Sequence, residues 1–232
     1  MPNFLIFTLA GTFASFGDVA GHERRGSWTW PGRSAILGLL AAAQGIRRDG
    51  DFAGLEALRV AVAVFETGNH LRDYHTVQTI PSAVVRRPQA RPDALALARQ
   101  GVNTTITLRD YRTGVLYGVA LAGPGLEPIS EALERPVFHL HLGRKACPLS
   151  APLAPQIVPA ASPEEALGQL ALPPWHAGAA ARTLYADPDM PGAGVAERIE
   201  TRHDMALDRH LWHFGARQVQ VQSVHVAPKD DA

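Results

Sequence analysis

The chain has 232 residues, 46% hydrophobic and 19% charged, with 22 basic and 22 acidic side chains that cancel to a formal net charge of zero. That length suits one large domain or two modest ones with a substantial core, and no apolar run is long enough to span a membrane. A single cysteine, Cys147, excludes an intrachain disulfide framework and argues against a cysteine-based zinc site.

The first eleven residues lack a basic leader and a cleavage-like site, so a cytoplasmic location is expected. Residues 3–9 (Asn-Phe-Leu-Ile-Phe-Thr-Leu) form an apolar run ending at Ala10-Gly11, the profile of a buried strand. Residues 12–32, with glycines, two tryptophans and the cluster His22-Glu23-Arg24-Arg25, read as a long loop of the kind that serves a site. Residues 34–44 are apolar on nearly every side and stop at Gly45, which predicts a buried helix. Arg33 and Ser34 stand at its start, where an anion could dock on unpaired N–H groups, or where Ser34 simply caps the helix.

Residues 58–66 and 115–121 alternate as strands, residues 126–133 as an amphipathic helix, and residues 137–142 as a returning strand. The resulting order, β, α, β, insertion, β, α, β, is that of an α+β, ferredoxin-like (RRM-like) sheet with a long projection between its second and third strands. The projection, about residues 72–112, carries Pro81, Pro88 and Pro92 and should stand off the body. Residues 1–150 then form the main domain. Residues 151–232, with a helix over 164–170, a loop over 173–178, a flexible loop over 188–194, a strand over 218–226 and a frayed tail from Lys229, form a small β-rich C-terminal lobe.

The zero net charge hides an uneven distribution. Between residues 71 and 112 seven arginines face three aspartates, a local charge of +4, whereas from Ala160 onward ten acids outnumber six bases by four. Within the basic stretch the hexapeptide Leu-Arg-Asp-Tyr-x-Thr occurs twice, at residues 71–76 and 108–113. In a strand Arg72 and Tyr74 share one side, and so do Arg109 and Tyr111 on theirs. A guanidinium beside a phenol can hold a phosphate while the ring stacks on a base, although Arg-Asp-Tyr is also an ordinary strand end with a solvated ion pair. Gly143-Arg144-Lys145 is a second basic focus, read either as a phosphate site at a strand end or as a solvated turn.

Ten histidines raise the question of metal or acid–base chemistry. His139-x-His141 and His210-x-x-His213 lack the partners of a metal signature, so neither a metal nor a cofactor is expected. His75, His22 and Lys145 could serve ribonucleolytic cleavage if the fold brought them together.

Four ordered blocks carry a family resemblance: Leu9-Ala10-Gly11; Ser34-x-x-Leu37-Gly38-Leu39-Leu40 with Gly45-Ile46-x-Arg48-Asp49; Leu71-Arg72-Asp73-Tyr74-His75-Thr76; and Leu142-Gly143-Arg144-Lys145-x-Cys147-Pro148-Leu149. Over about the first 150 residues the chain resembles the CasD (Cas-five) family of type I-E CRISPR Cascade subunits. The resemblance implies a ferredoxin-like palm with a β-hairpin thumb. It implies a protein that binds without cutting, holds the 5′ handle of the guide RNA (crRNA) and caps one end of the assembly. The implied partners are that RNA, the backbone and large subunits and, through the complex, target DNA, with no membrane contact. On the same analogy Arg72, Tyr74, His75 and Thr76 lie at the thumb's base, and Thr105, Thr107, Arg109 and Tyr111 return along its second strand. Gly143, Arg144 and Lys145 line the palm. His141 stands where relatives can carry tyrosine, and an imidazole can also stack. A sister family in type I-C systems cleaves repeat RNA, which keeps an endoribonuclease as the alternative reading.

Overall fold

The structure is a computed structural model that describes residues 1–20, 23–81, 91–98, 101–211 and 213–228, with the side chains of Val19, Ala20 and Arg91 excepted. Its centre is β1 (Asn3–Ala14), whose apolar run is buried on both faces: Leu5, Phe7 and Leu9 enter one core, Phe4 and Ile6 a second. Burying each such side chain contributes roughly 1.5–3 kcal/mol, which explains why this run forms the middle of a sheet. β1 pairs antiparallel with the 20-residue β6 (Asn103–Ala122), from Leu5 opposite Leu121 to Ala14 opposite Arg112. Its other edge takes β7 (Gln156–Pro159). On the far side of β6 lies β4 (Arg59–Glu66), so the spatial order is β7, β1, β6, β4, each pair antiparallel.

The sheet continues past β4 through β8 (Ala181–Ala186), β10 (His213–Val226) and β9 (Arg198–Asp208), giving ten strands in one curled, mixed α/β architecture. Residues beyond 150 thus add strands to the sheet that β1 begins. On one face α1 (Arg33–Ala43) and α4 (Leu126–Glu134) pack over Leu5, Val119 and Leu121, with the short α2 (Ala53–Glu56) beside them. On the other face α5 (Pro163–Leu167), capped by Ser162 through its Glu165 N–H, covers Phe4, Ile6 and Leu116. Gly45 ends α1 at a positive φ of 75°, as a glycine stop should.

Two expectations are corrected. Residues 12–32 are not a long loop: β1 runs to Ala14, and β2 (Phe16–Ala20) and β3 (Arg24–Trp28) follow as an antiparallel hairpin. Phe16 is buried edge-on to Tyr117 and faces Trp28 across the hairpin, so aromatic burial overrides the glycine-rich composition. Residues 137–142 are not a strand. The N–H groups of Val137 and Phe138 instead donate to the Ala43 and Ala42 carbonyls at the end of α1 (2.9 and 3.1 Å), and one bridge joins His141 to Pro148. Satisfying the orphan carbonyls of α1 takes the donors that a sheet ladder would have used.

The inserted segment is a ladder. β5 (Asn69–Thr79) pairs antiparallel with the outer half of β6, from Asn69 opposite Thr113 to Thr79 opposite Asn103. Between them in sequence is α3 (Arg91–Ala98), whose Ala94 and Ala98 pack on Ile80 and Val102. Pro88 and Arg86, Arg87 and Arg99 lie outside the described residues, as do His22 and the tail from Lys229.

Candidate nucleic-acid interface

The two hexapeptides pair with each other, offset so that Arg72 faces Asp110 and Asp73 faces Arg109. Side chains that are opposite in register share a face, so the ladder sorts the expected site residues onto two surfaces. Arg72, Tyr74 and Thr76 share the first with Asp110. His75, Thr105, Thr107, Arg109 and Tyr111 share the second. β3 adds a third strand alongside, parallel to β6, with Arg24 beside Leu108 and Arg25 beside Arg109. Arg24 therefore joins the first face and Arg25 the second.

On the first face Arg24, His70 and Arg72 converge on Asp110, which is 2% exposed. Its carboxylate accepts from Arg72 (Nε to Oδ1, 2.7 Å) and from Arg24 (Nε 3.0 Å and Nη2 2.9 Å to Oδ2), and His70 Nε2 lies 3.3 Å from Oδ1. The hydrogen bond from Arg72 leads in holding this carboxyl well below the usual carboxylate range, with Arg24 and His70 assisting against the burial cost. The same bond raises the Arg72 guanidinium above its ordinary value. One anion thus orients two guanidiniums, and the cluster keeps a net positive charge. Tyr74, 69% exposed, offers an open ring on this face.

The second face is organised by Arg144. Its Nη1 donates to the Asp110 carbonyl and its Nη2 to the Arg25 carbonyl, both at 3.2 Å, and its guanidinium lies 4.7 Å from the centre of the Tyr111 ring. Tyr111 also meets Phe13 edge-on. The ring thus serves as a platform for Arg144. His75 Nε2 pairs with Asp73 at 2.5 Å, and Thr107 donates to the His75 carbonyl at 3.4 Å. Thr76 and Thr105 are exposed.

The palm-side residues behave differently from one another. Gly143, at φ 83°, is pressed against the β1–β2 junction: a Cβ there would stand 1.9 Å from the Ser15 carbonyl oxygen. Its lack of a side chain serves packing against backbone. The loop is closed by bonds from the Cys147 N–H to the Arg144 carbonyl (2.8 Å) and from the Leu142 N–H to the Cys147 carbonyl (2.7 Å). Burial pushes the Cys147 thiol up. Lys145 is exposed, and His141 has a buried Nδ1 without a hydrogen-bond partner.

Arg33 is the clearest departure from expectation. Its guanidinium pairs with Asp187 (3.2 Å) and donates to the carbonyls of Glu56 and Leu58 (2.8 and 2.9 Å), so it holds the fold together and is not free for an anion. Conversely, sequence reading noted Arg24 and Arg25 only as part of a charged cluster in an apparent loop and did not single out His70; the aromatic residues Phe16 and Trp28, which pair across the hairpin, were the available signal. Among the described residues no group of three or more His, Cys, Asp or Glu side chains is placed to hold a metal, and no helix is long and apolar enough to cross a membrane.

Comparison with known proteins agrees with this fold. The family described as CRISPR-associated protein (Cas_Cas5) matches residues 4–220, and the chain belongs to that family. Among curated relatives, the CRISPR system Cascade subunit CasD of Escherichia coli (strain K12) is 33% identical over 186 residues, covering 72% of this chain and 76% of CasD. Two solved structures share the fold at 24% identity. A chain of a CRISPR RNA-guided surveillance complex aligns with a TM-score of 0.68 over 97% of this chain and 91% of its own. A structure titled Crystal structure of Cas protein aligns with a TM-score of 0.63 over 99% and 100%.

Proposed function

We propose that this chain is a non-catalytic RNA-binding subunit of a type I-E Cascade surveillance complex that holds the 5′ handle of the guide RNA and caps the backbone assembly. The observation that carries the reading is the gathering of Arg24, Arg72, Arg25 and Arg109 on the two faces of one three-stranded ribbon, with Arg144 bonded to two of its strands, in a member of a CRISPR-associated family. Arginine–phosphate contacts beside an exposed ring suit a short single strand. The order β7, β1, β6, β4, with α1 and α4 on one face, supports a ferredoxin-like palm, and the β5–β6 ladder supports a thumb. In this reading residues 1–150 grip RNA. Residues 151–232 meet the neighbouring backbone and large subunits, and target DNA is reached through the complex, in the cytoplasm.

The test is co-purification of the assembled complex with its RNA, followed by sequencing of the bound 5′ ends. A common handle sequence is expected, protected in a footprint that Arg144→Ala weakens. Affinity should fall with a slope of roughly −3 in log affinity against log salt if about four phosphates are neutralised. A flat salt response, or an unprotected handle, would overturn the proposal. Cleavage of a repeat-hairpin RNA by the purified chain, abolished by His75→Ala, would replace it with the endoribonuclease reading.

A further inference from the structure

Arg25 and Arg109 are register partners on the adjacent, parallel strands β3 and β6, so their side chains leave the same face about 5 Å apart. Like charges directly opposite each other destabilise a sheet. Neither guanidinium has an ion-pair partner among the described residues. The carboxylate nearest in register, Asp73, is turned to His75, and the buried Arg109 Nε lacks any hydrogen-bond acceptor. The other arginine pair facing across a ladder, Arg202 and Arg217, is treated differently. Arg217 is held by Asp187 and Asp204, and Arg202 lies over the rings of Trp28 and Trp30 at 3.6 and 4.4 Å. At Arg25 and Arg109 the fold supplies no such compensation. It instead fixes the repulsive register, since Arg144 ties the Arg25 carbonyl on β3 to the Asp110 carbonyl on β6.

We propose that Arg25 and Arg109 form a two-guanidinium clamp for a single phosphodiester group of a single-stranded RNA. Two planar forks side by side present several donors to the non-bridging oxygens of one phosphate, and the bound anion converts their repulsion into two charge-assisted contacts. The assignment of the phosphate to RNA rests on the function proposed above; the anion site itself does not.

The clamp makes opposed predictions for binding and stability, which an ordinary structural arginine would not. In the full-length protein, Arg25→Gln should raise the melting temperature measured without ligand. The same change should weaken binding of a single-stranded RNA oligonucleotide about tenfold and lower the salt slope by roughly 0.7. Arg109→Gln should do the same, and the double variant should lose little more than either single one, because both act on one phosphate. Inorganic phosphate should raise the melting temperature of the wild type and not of Arg25→Gln. An Arg25→Gln protein that melts lower, or that keeps both the salt slope and the phosphate response, overturns the clamp. If the wild type binds no RNA while phosphate stabilises it through Arg25, the clamp stands as an anion site and the RNA reading falls instead.

Discussion

Asp110 shows how one carboxylate can serve a cationic surface. Buried and bonded to Arg24 and Arg72, it prevents two neighbouring guanidiniums from repelling each other while leaving outward N–H groups on each. Because its folded pKa lies below the unfolded value of about 3.9, its stabilisation is fully present above that value and is lost as pH falls through the acid range toward the folded pKa. Asp110→Asn should therefore cost about 2 kcal/mol near neutrality and flatten the stability profile between about pH 5 and pH 2, as followed by denaturant titration at several pH values. A profile as steep as the wild type's would mean that other carboxylates dominate acid unfolding. On the same face Tyr74→Ala should weaken RNA binding with no effect on melting, since its ring is exposed. Tyr111→Ala should lower both, because Arg144 rests on that ring.

At the scale of elements, the segments legible in the sequence were those whose burial follows a simple period. The residue 3–9 run, the apolar helix ending at Gly45 and the strand alternation at 58–66 and 115–121 became β1, α1, β4 and the inner half of β6. What escaped was set by partners distant in sequence. β3 finds its parallel partner because β6 extends seven residues beyond Val115 to Leu108, and no local pattern announces a parallel neighbour. The hexapeptide repeat was visible, yet its offset pairing was not, and that offset decides which residues share a face. The glycine at 143 was visible in the sequence, but its packing against the β1–β2 junction was not. Gly143→Ala would place a methyl against the Ser15 oxygen and demand a positive φ, so it should destabilise by at least about 2 kcal/mol. It should also weaken RNA binding by moving Arg144. Unchanged stability in urea would show that the loop can relax away from the β1–β2 junction.

For the whole molecule, the question is whether the strands beyond residue 150 fold with the rest. β8 pairs with β4 along four residue positions, and Trp30 stacks on Tyr185 at 4.0 Å, so the two halves of the chain share backbone hydrogen bonds and an aromatic contact. A buried ionic cluster adds a clasp. Asp187, after β8, accepts from Arg33 at the start of α1, from Arg217 on β10 (2.8 Å) and from the Val60 N–H on β4 (3.0 Å), while Arg217 also holds Asp204 on β9. Burial pushes the Asp187 carboxyl up, and the flanking arginines and the Val60 N–H oppose that shift. Removing one member of such a cluster leaves the others desolvated and unpaired, and Asp187→Ala should cost roughly 3–5 kcal/mol. Because the sheet is continuous, both the wild type and this variant should unfold in one step, with tryptophan fluorescence and far-UV circular dichroism giving coincident transitions. If instead the fluorescence of the Trp30–Tyr185 stack were lost before the bulk of the secondary structure, the C-terminal strands would be a separately folding lobe. The clasp would then join two cooperative units.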